Sequence, residues 1–305
     1  EDQLADDWLA TLSEQRDKAR INSCRRDHSS GWLLPRPFED HIEGWLSPAE
    51  FTTACRLRLG QPVAHAATLC NTCHTSTADV FGDHSLTCMK GGHRSRVHDQ
   101  IRDMIFNVAS MALMNPRKED PCFGTSSKRS DITLTNVHRA RSDTTTRSAN
   151  PVAIDVTLTH FATCAGVSLA AKEPGGAANA MQKAKIMKYS ALAAEAHVDL
   201  APLAIDTLGA ICDSGIQIVR RIAMRWGRRF DIKPCRSIPV IFQRLSSVVV
   251  KGICRLIHIN SLPGDSALMP KTDALPAVIA PHAAADPDDE LSSLPPWSQH
   301  HAPPS

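Results

Sequence analysis

The chain has 305 residues, of which 42% are hydrophobic, and its formal net charge is only +2. This length supports one large domain or two small ones with a substantial core. No apolar run approaches the length that spans a bilayer, and no signal-peptide pattern opens the chain. The sequence contains ten cysteines. In a chain this long without an export signal, they favour reduced thiols, some of them metal ligands, over a disulfide framework.

The charges are unevenly distributed along the chain. Residues 1–60 hold 8 Lys/Arg against 11 Asp/Glu, a net charge of −3, and residues 261–305 hold 1 against 6, a net charge of −5. Residues 61–260 therefore carry 25 against 15, or +10. A basic central block between acidic flanks favours a polyanionic partner. The alternative is a surface that is charged only for solubility.

The first 60 residues are predicted to form a helical linker region. Apolar residues of 1–18 recur on one helical face, and residues 47–60 carry clear start and stop signals. These signals are a capping serine, a proline at the first helical position, a glutamate that completes a capping box and a terminal glycine. They are Ser47, Pro48, Glu50 and Gly60.

Residues 61–95 are predicted to form a small zinc knuckle. A cysteine pair with a two-residue gap is followed by a histidine and a cysteine with a three-residue gap, namely Cys70, Cys73, His84 and Cys88. Zinc binds four such ligands tetrahedrally, and a closed set of four leaves no open position for a substrate, so we assign Zn²⁺ a structural role. His74 and His93 are competing ligands. The alternative is four unrelated residues.

The third region, 96–260, carries signals for helices and strands. An apolar 3.6-residue period from Val97 predicts a helix that ends at Pro116. Two alternating segments, 129–136 and 151–160, predict strands. Their polar faces begin with Asp131 and Asp155, respectively. The two strands are separated by a loop rich in Arg, Ser and Thr at residues 137–150.

Helices are predicted next at about residues 177–197, 214–229 and 237–258, with a buried strand at 200–206. This order predicts an α/β fold in which a mixed sheet is flanked by helices. Residues 261–305 contain nine prolines and few large apolar side chains, so we expect a disordered tail.

The two strand aspartates suggest a metal site. If the strands are antiparallel neighbours, Asp131 and Asp155 can project from the same sheet face. Two carboxylates about 4 Å apart repel by roughly 4 kcal/mol at an effective dielectric constant of about 20. A divalent cation such as Mg²⁺ removes this repulsion and activates water for phosphoryl chemistry. The alternative is a solvated strand face on which the aspartates never meet.

The helix after these strands adds candidate catalytic residues. Lys185 and Tyr189 lie four residues apart and share a helix face, and Lys188 flanks them. A lysine that faces two carboxylates can position water or stabilise negative charge in the transition state. On its own, a lysine on an alanine-rich helix is an ordinary solvated residue.

Taken in order, these motifs resemble the C-terminal part of non-LTR retrotransposon reverse transcriptase polyproteins. In that family a CCHC zinc knuckle and a restriction-like PD-(D/E)XK endonuclease follow the polymerase. The resemblance covers about residues 30–230, and the segment 82–103 resembles the family's passage from knuckle to helix. Two positions depart from the pattern: Ser130 stands where proline is usual, and the aspartates lie 24 residues apart, a longer gap than usual.

The resemblance implies a role for each candidate residue. Asp131 and Asp155 would hold Mg²⁺ or Mn²⁺, with Lys185 and Tyr189 completing the catalytic set. Nucleic acid would be bound by the knuckle and by Arg129. If the chain is a nuclease, Lys188, Arg220, Arg221 and Arg225 are further candidates for phosphate contacts; the alternative for the arginines is a surface helix with no special role. The helix predicted at about residues 214–229, which carries these arginines, also contains Arg228 and Arg229.

The resemblance also implies an activity and its partners. The chain would nick target DNA, and possible partners include the element RNA and a reverse transcriptase domain upstream of Glu1, in the nucleus. Three alternatives stay open: a non-catalytic zinc-dependent nucleic-acid-binding module, a junction resolvase and a decayed copy that folds poorly.

Overall fold

The structure is a computed structural model that describes residues 2–34, 46–124, 127–137, 150–163 and 166–261. The predicted disordered tail lies outside these residues, apart from Ser261, and so does nearly all of the predicted Arg/Ser/Thr-rich loop. The described part belongs to one compact unit. The predicted boundaries between linker, knuckle and nuclease regions stay predictions.

The N-terminal region is helical, as predicted. Its helices are α1 (Asp2–Thr11), α2 (Gln15–Arg25) and α3 (Pro48–Leu59), with a 3₁₀ turn at Gly31–Leu33. The predicted capping box is present, because the Ser47 hydroxyl accepts from the Glu50 amide and the Glu50 carboxylate accepts from the Ser47 amide. Gly60 ends α3 at φ 72°, a left-handed conformation that glycine adopts without steric cost.

The middle and C-terminal parts contain the remaining elements. The predicted knuckle region holds β1 (Thr68–Leu69), β2 (Thr77–Ala78) and α4 (Asp83–Thr87). After it come α5 (His93–Met111), β3 (Pro116–Asp120), β4 (Ser130–Leu134), β5 (Val152–Thr159), α6 (Val167–Ala170), α7 (Gly176–Glu195), β6 (Asp199–Asp206), α8 (Asp213–Arg229) and α9 (Pro234–Ser261). The helix predicted to end at Pro116 stops at Met111, and Pro116 instead begins a strand that the sequence did not predict.

Four strands form a mixed sheet in the order β3-β4-β5-β6. The pairs β3–β4 and β4–β5 are antiparallel, and β5–β6 is parallel. The two aspartate strands are antiparallel neighbours, as the metal-site hypothesis assumed, with Ile132 opposite Ile154. Helices flank this sheet, so the expected mixed α/β architecture is present.

The two sheet faces bury different sets of side chains. On one face, large apolar residues of β4, β5 and β6 pack with α5, α8 and α9, and Trp226 is 1% exposed. On the other face, small side chains such as Ala153 and Ala204 pack against residues of α7. Small residues let α7 approach the sheet closely, and polar side chains of β5 therefore come within reach of this helix. No helix of the described residues is long and apolar enough to span a membrane.

Candidate metal centre and acidic site

The structure brings together the four predicted zinc ligands. One donor atom from each of Cys70, Cys73, His84 and Cys88 lies within 4.8 Å of the others. The Sγ atoms of Cys70 and Cys88 are 3.9 Å apart, and Cys73 Sγ is 3.4 Å from His84 Nε2. Two sulfur ligands about 2.3 Å from a tetrahedral zinc ion lie about 3.8 Å from each other, so this set fits zinc. His74 and His93 are not part of the cluster.

Local backbone contacts hold these ligands in place. The His74 amide donates to the Cys70 carbonyl at 3.0 Å, which closes the turn between the first two cysteines. The carboxylate of Asp79 accepts from the amides of Phe81, Asp83 and His84 at 2.8–3.2 Å, and so fixes the start of α4. The sequence analysis did not single out Asp79, which lies three residues before Gly82, the N-cap of α4.

The surroundings of Cys73 favour its thiolate form, which is the form that binds metal. Hydrogen bonds involving Thr75 lower the pKa of the Cys73 thiol to about 5. Its thiolate, the form that binds metal, is therefore present at neutral pH. Burial instead raises the pKa of Cys88. Deprotonation of Cys88 is therefore expected to accompany metal binding.

A buried histidine connects the knuckle to the end of the sheet. His160, directly after β5, is 1% exposed, and its Nε2 lies 3.1 Å from Asp83 Oδ1 on α4. Its Nδ1 lies 2.8 Å from the Thr207 hydroxyl, beyond the end of β6. Asp83 also accepts from Arg16 at 2.7 Å. Burial raises the pKa of Asp83, but hydrogen bonds from His160 and Arg16 outweigh burial and lower it to about 2.

The end of α9 makes a second connection to the knuckle. The amide of Asn71 donates to the Asn260 carbonyl at 3.1 Å, and the Asn260 side chain donates to the Ser85 carbonyl at 2.9 Å. The knuckle is therefore fixed to α9 by hydrogen bonds, in addition to the link through His160. These contacts make the metal cluster part of the folded body.

Asp131 and Asp155 lie where strands β4 and β5 stop pairing. The last pair of the ladder is Ile132–Ile154, and each aspartate is the next residue of its strand. Asp131 Oδ2 accepts from the Val156 amide at 2.6 Å. A side-chain oxygen thus replaces a main-chain partner at this point, and Asp131 is only 18% exposed.

Lys185 of α7 pairs with Asp155, one of the two aspartates that the sequence hypothesis places near it. Its Nζ lies 2.8 Å from Asp155 Oδ2, with side chains that are 22% and 14% exposed, respectively. The Thr157 hydroxyl donates to the same Asp155 oxygen at 3.2 Å. Among the described residues, the Oδ1 atoms of both Asp131 and Asp155 have no hydrogen-bond partner, so each acid has one engaged oxygen and one free oxygen.

Tyr189 supports this lysine without contacting either aspartate. Its ring is buried and stacks on Phe123, with centroids 5.8 Å apart. The Nζ atoms of Lys185 and Lys188 lie 5.8 Å and 4.9 Å from the ring centroid, respectively. A hydrogen bond with Tyr189 raises the pKa of Lys188. Tyr189 therefore packs beneath two lysines, a geometry that favours cations over its ring face.

His98 on α5 is a site residue that the sequence analysis did not single out. Its Nε2 lies 3.3 Å from Asp131 Oδ2, and its Nδ1 lies 3.3 Å from Asp99 Oδ1. The hydrogen bond to Asp131 is the main cause that raises the pKa of His98 to about 8. A carboxylate only accepts, so both contacts are hydrogen bonds when the ring is doubly protonated. The available signal was a histidine beside the apolar stripe that begins at Val97.

The predicted DNA-binding arginines divide into two groups. Arg220 and Arg221 are exposed on α8. Arg225 instead donates to the Asn136 carbonyl at 2.6 Å, and Arg229 donates to the Met111 carbonyl, so both tie α8 to neighbouring segments. Arg129 is exposed and donates weakly to the Glu119 carbonyl at 3.4 Å. Arg228 is also exposed.

The Cys/His cluster is the only group of three or more possible metal ligands this close together in the described part of the chain. No family model matches this chain, and no similarity to a curated protein or to a solved structure is found. The site geometry is therefore the basis for any functional proposal.

Proposed function

We propose that this chain is a metal-dependent DNA endonuclease, the restriction-like nuclease part of a retrotransposon reverse transcriptase polyprotein. The observation that carries the proposal is the ion pair between Lys185 and Asp155, beside Asp131 of the neighbouring strand. Asp155 pairs with Lys185 of α7, and Asp131 is the first residue beyond the same end of the β4–β5 ladder. An ordinary solvated strand face would not require a lysine from α7 at 2.8 Å.

Asp131 and Asp155 would hold Mg²⁺ or Mn²⁺. Such an ion supplies a more acidic water and neutralises developing charge on the phosphate. Lys185 holds Asp155 through Oδ2 and keeps a positive charge beside the reacting phosphate. Water would attack phosphorus and lose a proton, the P–O3′ bond would break, and O3′ would take up a proton. The products would be a 5′-phosphate and the 3′-hydroxyl that primes reverse transcription.

Substrate binding would use the basic central block. The exposed Arg220, Arg221 and Arg228 are free of the carbonyl contacts that hold Arg225, so they suit contacts with backbone phosphates. Lys188, which lies exposed beside Lys185 on α7, would contact phosphate next to the reacting group. The knuckle would add a second contact to the nucleic acid.

Plasmid nicking tests the proposal directly. Zinc-loaded protein is incubated with supercoiled plasmid and Mg²⁺ or Mn²⁺, and the open circular form is measured over time. We expect Asp155→Ala to abolish nicking and Asp199→Ala, a change of an exposed aspartate on β6, to preserve it. Nicking that persists in Asp155→Ala would identify a contaminant and refute the assignment.

A second candidate function is a non-catalytic nucleic-acid-binding module, and the Cys/His cluster is the observation that favours it. In that case the protein binds DNA or RNA with an affinity that falls steeply with salt. No cleavage would occur, and Asp131→Ala would leave binding unchanged. A preference for four-way junctions over duplex DNA would instead favour a junction resolvase.

A further inference from the structure

The two strand aspartates share one arrangement of their oxygens. In Asp155, Oδ2 is held by Lys185 and Thr157, and in Asp131, Oδ2 is held by the Val156 amide and His98. In both residues Oδ1 has no hydrogen-bond partner among the described residues. Each carboxylate is thus fixed through one oxygen and leaves the other available to a ligand.

His98 is the side chain that fixes Asp131. The Val156 amide also donates to Asp131, but it belongs to the main chain, so a side-chain substitution does not remove it. His98 approaches from α5, on a different element, and its Nε2 faces Oδ2 at 3.3 Å. Its side chain is 26% exposed and that of Asp131 is 18% exposed, so surrounding water competes only partly for this contact.

His98 also contacts Asp99, which takes part in an ion pair on the same helix. Asp99 Oδ1 lies 3.3 Å from His98 Nδ1 and 3.0 Å from Arg102 Nη1. Arg102 also binds Glu119 of β3 at 2.8 Å. Arg102 thus links α5 to β3, the neighbour of β4, through an ion pair with the half-exposed Glu119. The His98 imidazole therefore contacts Asp99 through Nδ1, while its Nε2 faces the Asp131 carboxylate.

We propose that His98 is a positioning residue that holds Asp131 Oδ2, so that Oδ1 is presented to a divalent cation. This inference rests on the proposed metal-dependent function of the same site. Carboxylates that bind metals are commonly held by hydrogen bonds to their other oxygen, and loss of such a partner typically lowers metal affinity or activity by about 10- to 100-fold. His98 would contact neither the cation nor the DNA.

The test compares four forms of the zinc-loaded protein: wild type, His98→Ala, His98→Gln and Gln100→Ala. The glutamine amide can donate a hydrogen bond from a place close to that of Nε2, and Gln100 is a matched control on the same helix. Mn²⁺ affinity is measured by titration calorimetry, and the Mn²⁺ concentration for half-maximal nicking is measured with plasmid. Thermal unfolding checks that each variant is folded.

We expect His98→Ala to weaken Mn²⁺ binding by about tenfold or more and to raise the half-maximal Mn²⁺ concentration similarly. His98→Gln should recover most of the affinity, and Gln100→Ala should match wild type. A structural role for His98 would change thermal stability but not the Mn²⁺ dependence of folded protein.

The outcomes separate this inference from the proposed function. If wild type nicks DNA and Asp155→Ala does not, but His98→Ala keeps wild-type Mn²⁺ affinity, the role of His98 is refuted and the endonuclease stands. If wild type binds Mn²⁺ without nicking and His98→Ala weakens that binding, the endonuclease is refuted and the role of His98 stands. If Mn²⁺ does not bind to wild type, both are refuted.

Discussion

Breaking the ion pair between Lys185 and Asp155 should reveal how strongly the site is held together. At the observed 2.8 Å, two unit charges attract by about 1.5 kcal/mol in bulk water and about 6 kcal/mol at an effective dielectric constant of 20. Both side chains are largely but not fully buried, so desolvation offsets much of the larger value. We expect a coupling free energy of about 1–3 kcal/mol.

A double-mutant cycle measures this coupling. The free energies of urea unfolding are compared for wild type, Lys185→Met, Asp155→Asn and the double variant, with zinc bound and other divalent cations absent. Lys183→Met, a change of an exposed lysine on the same helix, is the control and should lie within about 0.5 kcal/mol of wild type. A coupling below about 0.5 kcal/mol would mean that Lys185 does not hold Asp155 in solution, and the proposed arrangement of the acidic site would be wrong.

Three further changes test the metal centre and the scaffold. Cys73→Ser should lower the bound zinc from one ion per chain towards none, measured by atomic emission, and should lower the melting temperature, because ligation supplies folding free energy. His160→Leu should destabilise the protein by about 2–4 kcal/mol in urea unfolding, because Asp83 and Thr207 lose a buried partner; an effect below 1 kcal/mol would contradict the buried link. Ser47→Ala should cost about 1 kcal/mol in the same assay by removing the cap of α3, whereas the exposed Thr52→Ala should cost less.

The sequence predicted the parts of the fold that have strong local signals. The capping box and terminal glycine of α3 are close-range features, and the structure confirms both. The alternation in residues 152–159 predicted β5, and the antiparallel pairing that the metal-site hypothesis assumed for the two aspartate strands is present. Strand β3 was missed because its residues, Pro116–Asp120, are charged and show no apolar alternation. Such strands occur at sheet edges, where β3 lies.

The candidate site was predictable only where its residues share a pattern. The spacing of Cys70, Cys73, His84 and Cys88 indicated a metal cluster, and the structure brings these residues together. His98 could not be assigned, because its contact with Asp131 spans 33 residues and depends on how α5 crosses the sheet. Likewise, only the packed structure reveals that Arg225 donates to main-chain carbonyls.

The most direct test of the central claim is a crystal structure of the zinc-loaded protein with Mn²⁺, with the ions located by anomalous scattering. The account predicts an Mn²⁺ ion bonded to the Oδ1 atoms of both Asp131 and Asp155, with Lys185 still beside Asp155. A structure with zinc in the Cys/His cluster, but with no Mn²⁺ bridging the two aspartates at saturating concentration, would contradict it.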